Sequence, residues 1–195
     1  GWIHECRQLN IPVVIVNARP SDSMERWKDF GLWSWLTKDV KFFTVSDFGD
    51  LKTAAIVPPP KVIFPQPYFI AASTHAGEEE ILLSAWEKLS SPPLLIIGPR
   101  QIHRSIEIME RCRNFSCQLR STFPLKANVQ IVVLDTMGEM ASLFKDASGA
   151  FIGGTFTPSV GGHSPAEAMA VGTPFVYGPE TKSNKETFGL SSGIQ

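Results

Sequence analysis

Apolar positions along this chain fall into short runs that alternate with segments of helical spacing. The first run, Ile11 to Val16, is rich in β-branched residues and bounded by polar ones, the pattern of a strand buried on both faces. Trp2 to Leu9 before it reads as a short helix, and Asn17 to Ser21 after it as a loop at the strand's carboxyl end. Met24 to Thr37 reads as a Trp-rich helix, with Trp27, Phe30, Trp33 and Trp35 forming a core or partner-facing stripe rather than a ligand box. Val40 to Val45 reads as a second strand. Pro58-Pro59-Pro60, with Pro65 and Pro67, then predict a stiff, extended connector. It divides the chain into 1–57 and 58–195.

Beyond the connector the alternation becomes regular. Strands are predicted at Tyr68 to Ala72, Leu94 to Ile97, Val129 to Leu134, Ala150 to Ile152 and Phe175 to Tyr177. Between them, helices are predicted at Glu78 to Leu89, Ile102 to Cys112, Gly138 to Ala147 and Pro165 to Val171. Repeated strand–helix units with apolar strands imply an α/β fold, a doubly wound parallel sheet with right-handed crossovers. Ligands of such sheets bind beyond the carboxyl ends of the strands, so the loops there are where chemistry is sought.

Composition narrows the field. Apolar residues make up 43% of the chain and charged residues 19%, which suits a globular core, and the net charge of −1 argues against nucleic acid as a partner. Three cysteines without CxxC spacing read as reduced thiols. The chain opens at Gly1 without an initiator Met and closes at Gln195 just after a helix-start signal, which leads us to expect a fragment of a longer protein.

Among the rim loops, Gly153 to Pro165 is the richest. Its two glycine pairs would let backbone approach a ligand, and Ser164 with Pro165 sets up a helix start that favours an anion such as phosphate. It is neither a Walker A loop nor GxGxxG. Glu167 has two readings: the closing residue of a capping box begun by Ser164, or a carboxylate that accepts both hydroxyls of a ribose. Arg100, after Gly98-Pro99, is either a solvated arginine or an anion clamp, with Arg104 one helical turn on. The acids at Glu78, Glu79 and Glu80 are partners for a helix dipole, and Asp135 to Glu139 resembles a helix entry. His75, His103 and His163 are too scattered along the chain for a metal site, so no metal or other cofactor is expected.

The order of these motifs resembles the 3-deoxy-D-manno-octulosonate (Kdo) transferase family. The residues that carry the resemblance are Asn17-Ala18-Arg19, Gly49-Asp50-Leu51-Lys52, Ala72-Ser73-Thr74-His75-Ala76-Gly77-Glu78-Glu79 and Pro99-Arg100. They continue with Asp135-Thr136-Met137-Gly138-Glu139, Phe151-Ile152-Gly153-Gly154-Thr155, Gly161-Gly162-His163-Ser164-Pro165-Ala166-Glu167, Gly178-Pro179 and Asn184-Lys185-Glu186. The resemblance implies a GT-B glycosyltransferase of two Rossmann-like domains that moves Kdo from CMP-Kdo to a lipid A precursor without a metal. It implies that 1–57 is a remnant of the acceptor-side domain and 58–195 the donor-binding domain. Gly153, Gly154, Thr155, Gly161, Gly162, His163 and Ser164 would then line the donor phosphate and sugar. Arg100 would meet donor anions, Met137 and Gly138 the cytosine, and Glu167 the ribose, with Asn184 and Glu186 in the last donor-side motif. The general-base glutamate would lie upstream of this chain, so the polypeptide alone is expected not to turn over. The resemblance also implies contact with a membrane surface through an N-terminal region, at the cytoplasmic face in bacteria or in the mitochondrion of a plant-like source. The sequence departs from the family at Gln101, where His is usual, at Ser164, where Asn is usual, and in the shorter Asn-Lys-Glu.

Overall fold

The computed structural model describes residues 1–18, 26, 31–44, 51 and 64–195. The chain divides into two compact units, Gly1–Leu51 and Lys52–Gln195. Trp27, Phe30, Arg19, Gly49-Asp50, Lys52 and the Pro58-Pro59-Pro60 connector lie outside the described residues, and so do the expectations that rest on them.

In the first unit, helix α1 (Trp2–Gln8) leads into strand β1 (Val13–Ala18), and helix α2 (Leu32–Leu36) precedes strand β2 (Val40–Thr44). The two strands pair in parallel, Val13 opposite Val40. Arg7 ties α1 to this unit through Asp39 at 3.0 Å and the carbonyls of Trp35 and Leu36. Strand β1 departs from the expectation of burial on both faces: Val14 and Val16 are 52% and 54% exposed, while Val13 and Ile15 are partly covered. Successive side chains point to opposite faces, and only the face of Val13 and Ile15 is covered.

The second unit holds a parallel sheet of six strands, β3 (Tyr68–Thr74), β4 (Leu94–Pro99), β5 (Cys117–Leu119), β6 (Ile131–Val133), β7 (Gly149–Ile152) and β8 (Phe175–Tyr177). Their order is β5-β6-β4-β3-β7-β8. Strand β5, too short to stand out as an apolar run, was not foreseen; it pairs Cys117 with Ile131. The intervening helices are α3 (Glu78–Trp86), α4 (Ser105–Arg111), α5 (Met140–Phe144), α6 (Ala166–Val171) and α7 (Lys185–Gly189).

Alternation along the strands builds two apolar layers. Ala71, Leu95, Ile97, Ile131, Val133 and Phe151 face Leu82, Leu83 and Trp86 of α3 and Ile108 of α4. Ile70, Ile96, Val132, Ala150 and Ile152 face Leu143 and Phe144 of α5, Ala168 of α6 and Phe188 of α7. This is the doubly wound sheet the sequence implied, buried on both faces because helices cover both. The edge of β8 is covered in turn by Ile194, whose N–H and carbonyl bond to Phe175 and Tyr177 at 3.0 Å each. From β3 the chain runs outward through β4 to the edge strand β5, comes back to place β6 between β4 and β5, and then crosses to β3's other side as β7. The order therefore reverses between β3 and β7, and the carboxyl ends of strands at such a reversal are where folds of this kind take their ligands.

Candidate functional site: the crevice between β3 and β7

The two strand ends are pressed together. Gly153 N–H bonds to Ala72 O at 2.8 Å, and a Cβ on Gly153 would lie 2.4 Å from the Ser73 carbonyl oxygen. Only glycine fits there. Ser73 itself holds a left-handed φ of +56°, with a register irregularity between Ala72 and Thr74, a costly conformation of the kind that clusters at functional sites.

Two buried carboxylates from the first turn of α3 lock this junction, and neither role was legible in the sequence. Glu78 is 1% exposed; its Oε2 accepts the N–H groups of His75 at 2.9 Å and Gly154 at 2.8 Å, and its Oε1 that of Phe156 at 2.9 Å. Glu79, fully buried, accepts the Thr74 hydroxyl at 2.8 Å and the Arg104 guanidinium at 2.8 and 3.3 Å. The sequence treated these acids as dipole partners; in the fold they are acceptors for groups that would otherwise be buried unpaired. Burial opposes the charge on Arg104, but hydrogen bonding and attraction by Glu79, then Glu107, outweigh it and raise its pKa. Arg104 thus serves the fold, and Arg100, exposed after β4, is left to face solvent at the rim.

The glycine-rich loop differs from its sequence reading in a specific way. Its glycines make room for protein rather than leaving an open cradle. A Cβ on Gly162 would meet the Glu180 carbonyl at 2.6 Å, one on Gly161 the Lys182 side chain at 2.5 Å, and one on Gly154 the Val160 side chain at 2.7 Å. Thr155 has no exposed surface: its hydroxyl donates to Ile152 O at 2.7 Å and accepts Gly178 N–H at 2.8 Å. Its side chain is thus turned inward, tying the end of β7 to the segment after β8. Asn184 donates to Gly162 O at 2.7 Å, and Ser183 N–H to Gly161 O at 2.8 Å. Helix α6 starts one residue later than predicted, with Pro165 as its cap residue, and the Ser164 hydroxyl accepts Ala166 N–H at 3.3 Å. Glu167 is exposed on its first turn.

The structure therefore interlocks Gly153, Gly154, Thr155, Gly161, Gly162, His163 and Asn184 as one body. Met137 and Gly138 stand at the tip of the loop after β6, Met137 82% exposed and Gly138 at φ +79°. That loop is pinned from below: Arg120 pairs with Glu139 at 2.8 Å, and Ser121 holds Asp135 through its N–H at 2.8 Å and through its hydroxyl. Glu186 is exposed on α7, two residues past Asn184.

His75 and His163, far apart in sequence, meet across the crevice. Their Nε2 atoms are 2.8 Å apart, with ring centroids 5.1 Å apart and 14° between planes, so the rings meet edge to edge and nearly coplanar. The scatter seen along the chain is undone by the fold. Among the described residues no group of three or more His, Cys, Asp or Glu could hold a metal ion. Among them too, no helix is long and apolar enough to cross a membrane.

The chain is similar to the crystal structure of the C-terminal CMP-Kdo binding domain of WaaA from Acinetobacter baumannii, at a TM-score of 0.56 and 30% identity, over 64% of this chain and 67% of that one. The chain belongs to the Kdo transferase family. A 3-deoxy-D-manno-octulosonic acid transferase of Haemophilus influenzae is 33% identical over 136 residues, 67% of this chain and 32% of that protein. A probable mitochondrial 3-deoxy-D-manno-octulosonic acid transferase of Arabidopsis thaliana is 39% identical over 119 residues, 56% of this chain and 26% of that protein. The chain thus spans about a third or less of the length of these two relatives, one bacterial and one from a plant. No protein-family model matches it. Family membership agrees with the doubly wound sheet of the second unit, whose order reversal creates the crevice described above.

Proposed function

We propose that this chain carries the donor site of a glycosyltransferase that moves Kdo from CMP-Kdo to a lipid A precursor. The observation that carries this reading is the likeness of the chain to a CMP-Kdo binding domain, joined to an order reversal of the sheet where such a fold takes its ligand. The cytosine rests on Met137 and Gly138, the ribose hydroxyls bond to Glu167, and Arg100 supplies positive charge to the donor's anions. The interlocked body of Gly153, Gly154, Gly161, Gly162, His163 and Ser164 shapes the floor, with Thr155 and Asn184 holding it from behind; Glu186 stands at the rim. Positive charge at the leaving phosphate lowers the barrier to departure of CMP. No metal takes part, so chelation with EDTA leaves nucleotide affinity unchanged. Residues 1–57 belong to the acceptor side, and the acceptor is met at a membrane surface, on its cytoplasmic face in a bacterium or in the mitochondrion of a plant-like cell.

Calorimetric titration with CMP and UMP tests the reading. CMP is expected to bind more tightly than UMP, and Glu167→Ala to weaken CMP about tenfold, the loss of roughly 1.4 kcal/mol of hydrogen bonding to a charged acceptor. Preference for UMP would transfer the assignment to a UDP-sugar enzyme. A Glu167→Ala protein with lowered Tm and unchanged CMP affinity would return Glu167 to a capping role.

A further inference from the structure

Three sulfurs meet where α4 hands over to β5, at the edge of the sheet and outside the donor site. Cys112 ends α4; its carbonyl accepts the Phe115 N–H at 2.9 Å, and this turn brings the chain back so that Cys117 opens β5. Both side chains enter the apolar layer that holds Ile108, Ile131 and Val133, Cys112 fully buried and Cys117 partly exposed on the edge strand. Their thiols lie within hydrogen-bonding reach of each other, and the Cys117 thiol also donates to the Met109 sulfur at 3.1 Å. All three cysteines of the chain are free thiols, and the third, Cys6, belongs to the first unit.

The two thiols are not equivalent. The bond from Cys112 holds the Cys117 pKa below the ordinary thiol value, with the Gln118 N–H adding to it and burial opposing. Cys112, which gives that bond and is buried, is pushed the other way. A partly exposed sulfur with thiolate character is thereby set against a second thiol that solvent does not reach, the arrangement in which one cysteine meets an oxidant and its neighbour resolves the product.

We infer that Cys112 and Cys117 form a redox couple in which a hydroperoxide oxidises Cys117 and Cys112 closes a disulfide onto it. In the first step the Cys117 sulfur attacks the peroxide: an S–O bond forms, the O–O bond breaks, and the Cys117 proton leaves with the departing oxygen. The sulfur is oxidised to a sulfenic acid, and the peroxide is reduced to an alcohol, or to water where it is hydrogen peroxide. In the second step the Cys112 sulfur attacks that of Cys117; the S–S bond forms, the S–O bond breaks, and hydroxide departs with the Cys112 proton as water.

Peroxide treatment of the whole chain tests this, followed by acid quenching, alkylation of the denatured protein with N-ethylmaleimide, and tryptic peptide mass spectrometry. Cleavage after Arg111, Arg113 and Arg120 places Cys112 and Cys117 in different peptides. One equivalent of hydrogen peroxide should join these two peptides in a species that dithiothreitol separates, and both thiols should lose maleimide reactivity together while Cys6 keeps its own. In Cys112→Ser, checked for folding by circular dichroism, Cys117 should halt at the sulfenic acid and take up dimedone. In Cys117→Ser, checked likewise, the buried Cys112 should remain a free thiol. Cys112 and Cys117 both left free after excess peroxide has oxidised Cys6, or Cys117 carried to the sulfinic acid with no bridge, overturns the inference and leaves the pair as packing residues.

Discussion

Replacing Glu78 tests whether the crevice is held by a carboxylate rather than by the glycines of its loop. Glu78 accepts three backbone N–H groups, at 2.9, 2.8 and 2.9 Å, and that of Gly154 is fully buried. In Glu78→Ala all three donors lose their acceptor. The buried one costs about 1–3 kcal/mol and the other two, partly reachable by water, about 1 kcal/mol each, so a loss of about 3–5 kcal/mol is expected. Glu78→Gln keeps the shape but turns an NH2 group toward at least one N–H, whichever way the amide lies, and should cost about 2–3 kcal/mol. Urea unfolding followed by circular dichroism reads both as shifts in midpoint at constant m. Glu80→Gln, which weakens the half-exposed pairing with Arg111, serves as the control and should cost under about 1 kcal/mol. CMP affinity should fall with Glu78→Gln, because Gly154 and Phe156 are no longer fixed. A Glu78→Gln protein no less stable than the control would refute the reasoning, since the three N–H groups would then have found other partners.

Gly153→Ala forces a methyl to 2.4 Å from the Ser73 carbonyl oxygen and should cost about 1–3 kcal/mol with loss of CMP binding. Gly172→Ala, with open space around it but φ +74°, should cost only about 1 kcal/mol and leave CMP binding intact. The pKa of Tyr68 is pushed up to about 12 by burial first and Asp146 second, against an unperturbed 10.0. Its contribution is therefore complete below pH 10 and is lost as pH rises toward 12, about 1.4 kcal/mol of it by pH 11. Tyr68→Phe should abolish this alkaline loss in urea titrations, while costing about 1 kcal/mol at neutral pH for the bond to Leu143 O. Arg120→Met strands the nearly buried Glu139 and should lower stability by about 3–5 kcal/mol, weakening CMP through the Met137 loop; a thermal melt with calorimetry checks both.

Much of the second unit was legible in the chain because its signals are local. Leu94 to Ile97 announces a buried strand by its own composition, and Glu78 to Leu89 a helix by its spacing, which the fold ends at Trp86. Repetition of such pairs is enough to imply a parallel sheet. Strand β5 escaped because three residues carry no period, and the exposed face of β1 escaped because burial depends on what packs above a strand. The motifs at Gly153 to Thr155 and Gly161 to Glu167 singled out one strand-to-helix loop, which the fold sets at the order reversal between β3 and β7. What that loop does with its groups was not readable there. The glycines are filled by Ser73, Val160, Lys182 and Glu180, the Thr155 hydroxyl is turned inward, and the backbone donors are spent on Glu78 and on the loop itself. Glu78 and Gly154 are 76 positions apart, and His75 and His163 are 88 apart. Periodicity fixes which face a residue takes on its own element. Only the strand order, set by how all six strands share two apolar layers, decides which loop ends meet, and so which carboxylate is buried and which imidazoles touch.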